Sequence, residues 1–325
     1  MALVSVLIPA YERPDYVTHA INSVLAQSFD DFEILIGDDS RSDAVKNAVA
    51  LIDDRRIRYN KHQSPKGAMQ NWHDLLMSSE SAYVATLNDD DYWEPEFLQR
   101  LVPPLTDDDS IGMTFCDSWR INDQGERELG QTEHASQTTH RDALTAGLCD
   151  SSDDAMLRLI AVWNAPQPAY AAVLRRQVAS QLEIPSDTNP CHDLWCSYAM
   201  WKSGGRFFFV PGRYTNYRVH PGNLTNEGFA RAEDFIFERI VQENKGNSAL
   251  SEVIDRWTTI RWHRATKYLR HRSTIPQAQH EFEQAAPRLN RHRRAFAILA
   301  TRSTFFCRTA GAVKSVADRV SHPSA

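Results

Sequence analysis

The chain lacks the features that mark secreted, membrane-spanning and low-complexity proteins. It has five cysteines, an odd number without C-x-x-C spacing, which argues against a disulfide framework and against a zinc site. A membrane-spanning helix needs about 18 uninterrupted apolar residues, and no run in this sequence approaches that length. The apolar start has no basic segment and no cleavage pattern, which argues against a signal peptide. We therefore expect a folded protein in the reducing cytoplasm.

Charge is distributed unevenly along the 325 residues. The net charge is −6, but residues 1–230 carry 19 basic and 33 acidic residues, whereas residues 231–325 carry 17 and 9. An acidic body argues against nucleic acid as a partner, and a phosphate-bearing ligand there needs a metal ion as intermediary. The basic C-terminal part is compatible with contact to an anionic membrane.

The first 120 residues alternate short β-rich apolar runs with helical patterns, as parallel α/β sheets do. The strands are predicted at residues 3–10, 32–37, 57–60 and 83–87. Beyond these we expect a strand from 111, a hairpin near 123–125 and a loop-rich stretch to about 150. Two β-like runs then lie on either side of Gly212 and Arg213, and the chain beyond 229 is expected to form helices only.

Two of the predicted strands end in acidic clusters. Asp38 and Asp39 follow the second strand, and Asn88-Asp89-Asp90-Asp91 follows the strand at 83–87. Ligands of open α/β sheets gather at the carboxyl ends of strands, and clustered carboxylates usually need a cation or hydrogen-bond donors beside them. Oxygen ligands suit Mg²⁺ or Mn²⁺ bound with a diphosphate. Alternatively, these residues are solvated turns that cap the following helices.

Two segments carry a family resemblance, VSVLIPAYERPDYVTHAINSVLAQSFDDFEILIGDDSRSD and YVATLNDDDYWEP. Together they resemble the nucleotide-sugar-binding half of the family 2 inverting glycosyltransferases. The resemblance implies a GT-A fold, an α/β architecture with a Rossmann-like, mainly parallel sheet and helices on both faces. It places nucleotide-sugar binding in residues 1–120 and the acceptor side in residues 121–228. Residues 229–325 lie outside it and are expected to form a basic helical extension.

The resemblance also implies where the donor and a divalent ion bind. Residues of the P-x-Y-x-R segment match the cradle of the nucleobase, namely Pro9, Ala10, Tyr11 and Glu12, and Asp39 matches the carboxylate that reads the base. The family's Asp-x-Asp motif corresponds to Asn88, Asp89 and Asp90, with its first aspartate replaced. Asp90 then matches the principal ligand of Mg²⁺ or Mn²⁺, and Asp89 lies near the ribose or the metal. His220 resembles a histidine that completes the metal or diphosphate site in some enzymes with this fold, or it is structural.

The acceptor side carries the candidate base. Asp193, at the start of an amphipathic helix, matches the carboxylate that deprotonates the acceptor hydroxyl, with His192 where the family more often has glutamate. The alternative for Asp193 is a helix N-cap. Trp163 and Asn164, together with His192, are expected to border the donor-sugar or acceptor pocket, although the same residue types suit the edge of a core.

These observations predict a metal-dependent inverting glycosyltransferase. It would move a sugar from a nucleoside diphosphate donor, UDP- or dTDP-linked, to a hydroxyl of a glycan or lipid-linked saccharide in bacterial surface polysaccharide assembly. Two alternatives stay open, a catalytically inactive binding protein and a sugar-phosphate nucleotidylyltransferase. Residues 291–319 mix basic with apolar residues, which favours peripheral contact with the inner face of the membrane. A cap on the catalytic domain or an oligomer contact would explain them equally well.

Overall fold

The computed structural model describes residues 2–220, 222–223, 229–269, 274–303, 307 and 310. Its contacts divide the chain into two compact units, Met1–Ile236 and Phe237–Ala325. The division falls within the helix Phe229–Glu243. The boundary expected from sequence, between residues 228 and 229, stays a prediction.

The first unit is built on one mixed sheet. Its strands, in chain order, are β1 (Val4–Ala10), β2 (Phe32–Asp38), β3 (Ile57–Lys61), β4 (Tyr83–Thr86), β5 (Tyr92–Trp93), β6 (Ile111–Ile121), β7 (Gly147–Leu148), β8 (Ala172–Arg175) and β9 (Arg206–Arg218). Their order is β3-β2-β1-β4-β8-β6-β9-β5, with β7 paired to β9. The pairs among β3, β2, β1 and β4 are parallel, as is the pair β6–β9. β8 runs antiparallel to β4 and β6, and β5 and β7 run antiparallel to β9.

Helices connect and follow these strands. In the described residues they are α1 (Pro14–Leu25), α2 (Ala44–Val49), α3 (Ala68–Ser78), α4 (Phe97–Leu101), α5 (Pro103–Asp107), α6 (Leu129–Thr138), α7 (Asp153–Leu157), α8 (Arg176–Ala179), α9 (His192–Lys202), α10 (Phe229–Glu243), α11 (Leu250–Tyr268), α12 (Ile275–Ala285) and α13 (Arg291–Arg302). A π-helical turn, Arg158–Val162, extends α7. Across the part of the chain that the structure describes, no helix is both long enough and apolar enough to span a bilayer.

The core of the first unit forms on both faces of the sheet, because successive side chains of β1 point to opposite faces. Val4, Val6 and Ile8 are fully buried and share one hydrophobic cluster with Val17 and Ile21 of α1. This packing arises because side chains alternate between the two faces of a strand while helical residues three and four apart share one face. Leu7 is equally buried, and α3 packs against β1 and β2. The sheet is therefore covered on both faces, as predicted.

The structure corrects three local predictions. The stretch expected to be loop-rich contains the helix α6, whose Thr132 and Ser136 are buried. The short strand β8 was not predicted, although its residues Ala172 to Leu174 are buried. The two runs around Gly212 form the single strand β9, since the left-handed φ of Gly212, 123°, and register shifts against β6 bend the strand without ending it.

The second unit consists of the rest of α10 and the helices that follow. α11, α12 and α13 pack around a small apolar core that includes Ala265, Ala278, Phe282, Ala297 and Ala300. Three aromatic rings meet edge-on in this core, those of Trp262, Phe282 and Phe296. A helical extension after residue 229 is therefore what the described residues form.

We predict that Gly37→Ala destabilises the first unit. A Cβ on Gly37 would lie 2.1 Å from Asn71 Oδ1 and 3.2 Å from Leu75 Cγ. The side chain of Asn71 is fixed there, because it donates to Gly37 O at 2.8 Å and contacts His62 Nε2 at 3.0 Å. Overpacking of this kind costs about 1–3 kcal/mol of unfolding free energy, which urea denaturation measures.

Gly130→Ala is the matched control, since a Cβ at that position of α6 meets no atom within 4 Å. We expect its unfolding free energy to match or slightly exceed that of the wild type, because alanine favours helix over glycine. Equal stabilities of the two variants would contradict the close approach of β2 and α3.

Candidate active site

The carboxyl ends of β1 and β4 are joined by an ion-paired cluster. The acidic loop, which we define as Asn88–Asp91, follows β4 and is almost fully buried at its three aspartates. Asp89 Oδ2 accepts from the backbone N–H of Tyr11 at 2.8 Å. Arg13 Nη1 lies 3.0 Å from Asp89 Oδ1 and 2.6 Å from Asp90 Oδ2. The loop after β1 thus supplies both a neutral donor and a cation to the acidic loop.

Arg218, near the end of β9, holds the acidic loop from the other side. Its backbone N–H donates to Asp91 Oδ1 at 2.8 Å, and its Nε donates to the carbonyl of Asp90 at 2.9 Å. Its Nη1 bonds the carbonyl of Asp123 at 2.8 Å. Asn88 Nδ2 donates to Asp91 Oδ2 at 3.1 Å. The asparagine that replaces the family's first aspartate therefore has a local role, because it pairs with a buried carboxyl.

His220 contacts Asp90 directly. Its Nε2 lies 3.1 Å from Asp90 Oδ2, and its Nδ1 accepts from the backbone N–H of Gly222 at 3.1 Å. A neutral imidazole that accepts at Nδ1 carries its proton on Nε2, so these bonds make His220 a donor to Asp90. Coordination of a metal through Nε2 would require the other neutral tautomer, with the proton on Nδ1, and would break the bond from the Gly222 N–H. The role of His220 as a metal ligand stays a prediction.

The pKa values of two aspartates in the acidic loop are raised. Burial, and then the charge of Asp90, raise the pKa of Asp89 to about 7, although Arg13 and the Tyr11 N–H oppose the shift. The same two causes raise the pKa of Asp91 well above its ordinary value. Burial alone would lower the pKa of Arg13, but the charges of Asp89 and Asp90 outweigh it and raise this pKa. In this cluster the raised pKa values of Asp89 and Asp91 favour their neutral forms, whereas pairing with Asp89 and Asp90 favours the charged form of Arg13.

The residues expected to bind the nucleobase lie at the neighbouring strand ends. Pro9 and Ala10 pair with Gly37 and Asp38 in register, and the ring of Tyr11 is 45% exposed and free to stack. Asp39 is buried, and its two oxygens accept the backbone N–H groups of Lys66 at 2.7 Å and Gly67 at 2.8 Å. The segment 9–11 and Asp39 are thus adjacent, as the resemblance implies.

Glu12 makes contacts within the protein. It has a left-handed φ of 54°, and its Oε1 accepts from the backbone N–H groups of Arg41 at 2.8 Å and Ser42 at 3.2 Å. The Ser42 hydroxyl donates to its Oε2 at 2.5 Å. Its carboxylate therefore organises the turn that leads into α2, which places the loop after β1 beside the loop after β2.

The acceptor-side candidates are held by other segments. Asp193 lies in the first turn of α9 and is partly exposed. The ring of the adjacent His192 lies 5.5 Å from that of Trp72. Burial lowers the pKa of His192 more than the charge of Asp193 raises it, so its imidazole is neutral at pH 7. Trp163 stacks on His140 with 4.6 Å between ring centroids, and Asn164 has a left-handed φ of 49°.

The structure therefore connects some predicted site residues and not others. Asp89, Asp90 and His220 form one hydrogen-bonded group, whereas Asp193, Trp163 and Asn164 make their contacts elsewhere. Sequence reasoning assigned no role to Arg13 or Arg218. Arg13 was visible as the last residue of P-x-Y-x-R, but its partners lie 76 and 77 positions away.

The cluster offers oxygen ligands for a divalent ion, but the guanidinium of Arg13 lies among them. The described residues contain no group of three or more His, Cys, Asp or Glu side chains in metal-binding geometry. Asp89, Asp90 and the carbonyl of Gly222 nevertheless surround a cation, the guanidinium of Arg13. Hard oxygen ligands of this kind are those that Mg²⁺ and Mn²⁺ prefer.

Comparison with solved structures shows a GT-A fold. The S. aureus TarS fragment 1–349 in complex with UDP-GlcNAc matches with a TM-score of 0.61 and 14% identity, over 97% of this chain and 92% of that one. The Pyrobaculum calidifontis mannosyltransferase PcManGT, in complex with GDP-Man and Mn²⁺, matches with a TM-score of 0.56 and 14% identity, over 98% and 88%.

Comparison of sequences shows the family. Residues 5–162, just under half of the chain, match the model of glycosyl transferase family 2, and this segment belongs to that family. The Escherichia coli protein WfaP, a UDP-Glc:alpha-D-GlcNAc-diphosphoundecaprenol beta-1,3-glucosyltransferase, is 37% identical over 93 residues. That alignment covers 29% of this chain and 37% of WfaP. The predicted family and fold class are both confirmed.

We predict that Asp91 makes the stability of the first unit depend on pH. A carboxyl whose pKa is raised in the folded state keeps its proton while the unfolded chain loses its own, so it lowers stability as pH rises above about 4. Asp91→Asn removes this contribution, and Asn88 can reverse its amide to pair with the new side chain. Between pH 5 and 7 the unfolding free energy of the wild type should fall relative to the variant by up to about 1.4 kcal/mol per pH unit.

Asp54→Asn is the control for this titration. Hydrogen bonds from Arg56 lower the pKa of Asp54 to about 2, so its contribution to stability is lost only as pH falls from about 4 towards 2. Its pH profile between 5 and 7 should parallel that of the wild type. If the Asp91→Asn profile also runs parallel to the wild type, the account of the buried carboxyl is wrong.

Proposed function

We propose that this chain is an inverting glycosyltransferase that uses a nucleoside diphosphate sugar, UDP- or dTDP-linked, and a hydroxyl acceptor on a glycan or lipid-linked saccharide. The observation that carries the proposal is the acidic loop, ion-paired to the loop after β1, beside the exposed ring of Tyr11 and the buried carboxylate of Asp39. A cation bound to the acidic loop would then lie next to a surface for the base, at the carboxyl ends of the strands where ligands of such sheets gather.

The relatives support the same donor and acceptor classes. WfaP is named for transfer from UDP-Glc to a diphosphoundecaprenol-linked sugar, and the E. coli relative WcaA, 30% identical over 98 residues, is named for colanic acid biosynthesis. The TarS structure contains UDP-GlcNAc. Because the alignments cover only about a third of these relatives, their activities support a proposal for this chain and go no further. We place the chain in bacterial surface polysaccharide assembly.

The residues divide the chemistry between them. Tyr11 would stack on the base and Asp39 would accept from it, while Asp90, with Asp89 and His220 beside it, would hold Mg²⁺ or Mn²⁺. The bound ion would offset the negative charge of the leaving diphosphate. Inversion proceeds by one in-line displacement, so a base must take the acceptor proton, and we assign this role to Asp193. Trp163, Asn164 and His192 would border the sugar or acceptor pocket.

The other two functions differ in measurable ways. A catalytically inactive binding protein would bind a nucleotide sugar without consuming it. The features that favour this alternative are Asn88 and His192, at positions where the family more often has acidic residues, and Asn88 pairs with Asp91. A sugar-phosphate nucleotidylyltransferase needs a glycine-rich basic loop for a triphosphate, and the loop after β1 reads PAYERPD. Transferase activity therefore explains more of the site than either alternative.

The extension after residue 228 supports a peripheral membrane role. The face of α13 presents Ile298 and Leu299, 36% and 52% exposed, close to Arg291, Arg294 and Arg302. Aliphatic and basic side chains on one helix suit the surface of an anionic bilayer, where a lipid-linked acceptor would be reached. Of the segment 291–319, residues 304–306, 308–309 and 311–319 lie outside the described residues. We propose a cytoplasmic enzyme with a catalytic domain at 1–228 and this contact at 229–325.

We predict that two carboxylate variants separate donor binding from transfer. Asp193→Asn should retain Mn²⁺-dependent nucleotide binding and lower the turnover of nucleotide sugar by about 10²–10⁴-fold, because it removes only the general base. Asp90→Asn should weaken metal-dependent nucleotide binding. Calorimetry with UDP, TDP, GDP and CDP, each with Mn²⁺ and with EDTA, measures binding, and release of nucleoside diphosphate measures turnover.

Asp187→Asn is the matched control, since Asp187 pairs with Arg231 at 2.8 Å and is 40% exposed. It should resemble the wild type in both assays. Normal turnover by Asp193→Asn would refute the choice of base, and nucleotide binding without any turnover by the wild type would favour the binding-protein alternative.

A further inference from the structure

Arg13 connects three loops of the site, and the proposed binding of donor and acceptor gives it no role. One nitrogen, Nη1, bonds Asp89 Oδ1 at 3.0 Å and Asp90 Oδ2 at 2.6 Å. The other, Nη2, donates to the carbonyl of Gly222 at 2.6 Å. A single guanidinium therefore ties the loop after β1 to the acidic loop and to the turn after β9.

Arg13 is also the cation that neutralises Asp90. The guanidinium of Arg218 donates to the backbone carbonyls of Asp90, Asn122 and Asp123, so its hydrogen bonds go to the turns and not to the carboxylates. Asp90 Oδ2 instead receives Arg13 Nη1 and the Nε2–H of His220 at 3.1 Å. Without Arg13, the buried carboxylates would lose their direct charge partner.

A divalent ion that bound Asp90 Oδ2 would have to displace a hydrogen-bond donor from it. Mg²⁺ sits about 2.0–2.1 Å from its oxygen ligands, and two hydrogen-bond donors already point at this oxygen. The side chain of Arg13 is 26% exposed, so the protein does not enclose it on all sides.

We propose that Arg13 is the resident counter-cation of the acidic loop, and that a divalent ion binds Asp90 by displacing its guanidinium. The inference rests on the proposed function in one respect, that Asp90 is a ligand of the ion. The bare protein then keeps its carboxylates neutralised, and the affinity for the ion is lowered by the free energy needed to break the ion pair with Arg13. Arg13 thereby sets metal affinity without itself being a ligand.

The test is Mn²⁺ binding to the full chain without nucleotide, measured from the free Mn²⁺ signal in electron paramagnetic resonance. Arg13→Gln keeps a hydrogen-bond donor but removes the competing charge, so it should bind Mn²⁺ about tenfold more tightly than the wild type. Arg13→Lys keeps a cation and should lie between the two. Arg56→Gln, which removes an arginine paired with Asp54 at 2.8 Å, should equal the wild type.

Unchanged or weaker Mn²⁺ binding by a folded Arg13→Gln protein would overturn the proposal. If that variant does not fold, the NMR resonance of the Arg13 side-chain Nε–H is measured in the wild type instead. This resonance is identified by its absence from the spectrum of Arg13→Lys. The resonance should shift on saturation with Mg²⁺, and a resonance that stays in place would overturn the proposal. Nucleotide binding and sugar transfer that persist in EDTA would leave the proposed function standing while this inference fails.

Discussion

The ion pair between Arg13 and the acidic loop is the interaction on which the rest of the site depends. Parallel strands bring β1 and β4 side by side, so the loops that follow them meet, and the three aspartates of the acidic loop are buried there. Arg13 supplies the charge, while the Tyr11 N–H and the backbone of Arg218 supply the neutral donors. Buried carboxylates without such partners would cost several kcal/mol each.

The same cluster and the neighbouring loops hold the residues that we propose to bind the nucleotide. Tyr11 is held by the bond from its N–H to Asp89, and Asp39 is held by the backbone of Lys66 and Gly67. These contacts join the loop after β1 to the loop after β4, and the loop after β2 to the loop after β3, before any ligand arrives. A site preorganised in this way loses little conformational entropy when a nucleotide binds.

The strands in the first 90 residues could be predicted from the sequence. Features that depend on contacts between distant residues could not. β1, β2 and β4 are buried apolar runs, which local patterns identify well, whereas β8 is short and its neighbours in the sheet are distant in sequence. The partners of Arg13 and Arg218 depend on tertiary structure, so no local pattern could give them. The bond from Asn88 Nδ2 to Asp91 Oδ2 was likewise not predicted, and the effect of the missing aspartate on metal binding stays a prediction. The roles of Asp193, Trp163 and Asn164 stay predictions.

The central claim is that the acidic loop is the cation site of a nucleotide-sugar-binding pocket. The most direct measurement is a crystal structure with UDP and Mn²⁺, with data collected at the manganese absorption edge. Our account predicts an anomalous peak within about 2.2 Å of an Asp90 carboxylate oxygen, with the guanidinium of Arg13 turned away from it and the base against Tyr11. A peak elsewhere on the protein, or UDP bound with Arg13 still seated on Asp90, would contradict it.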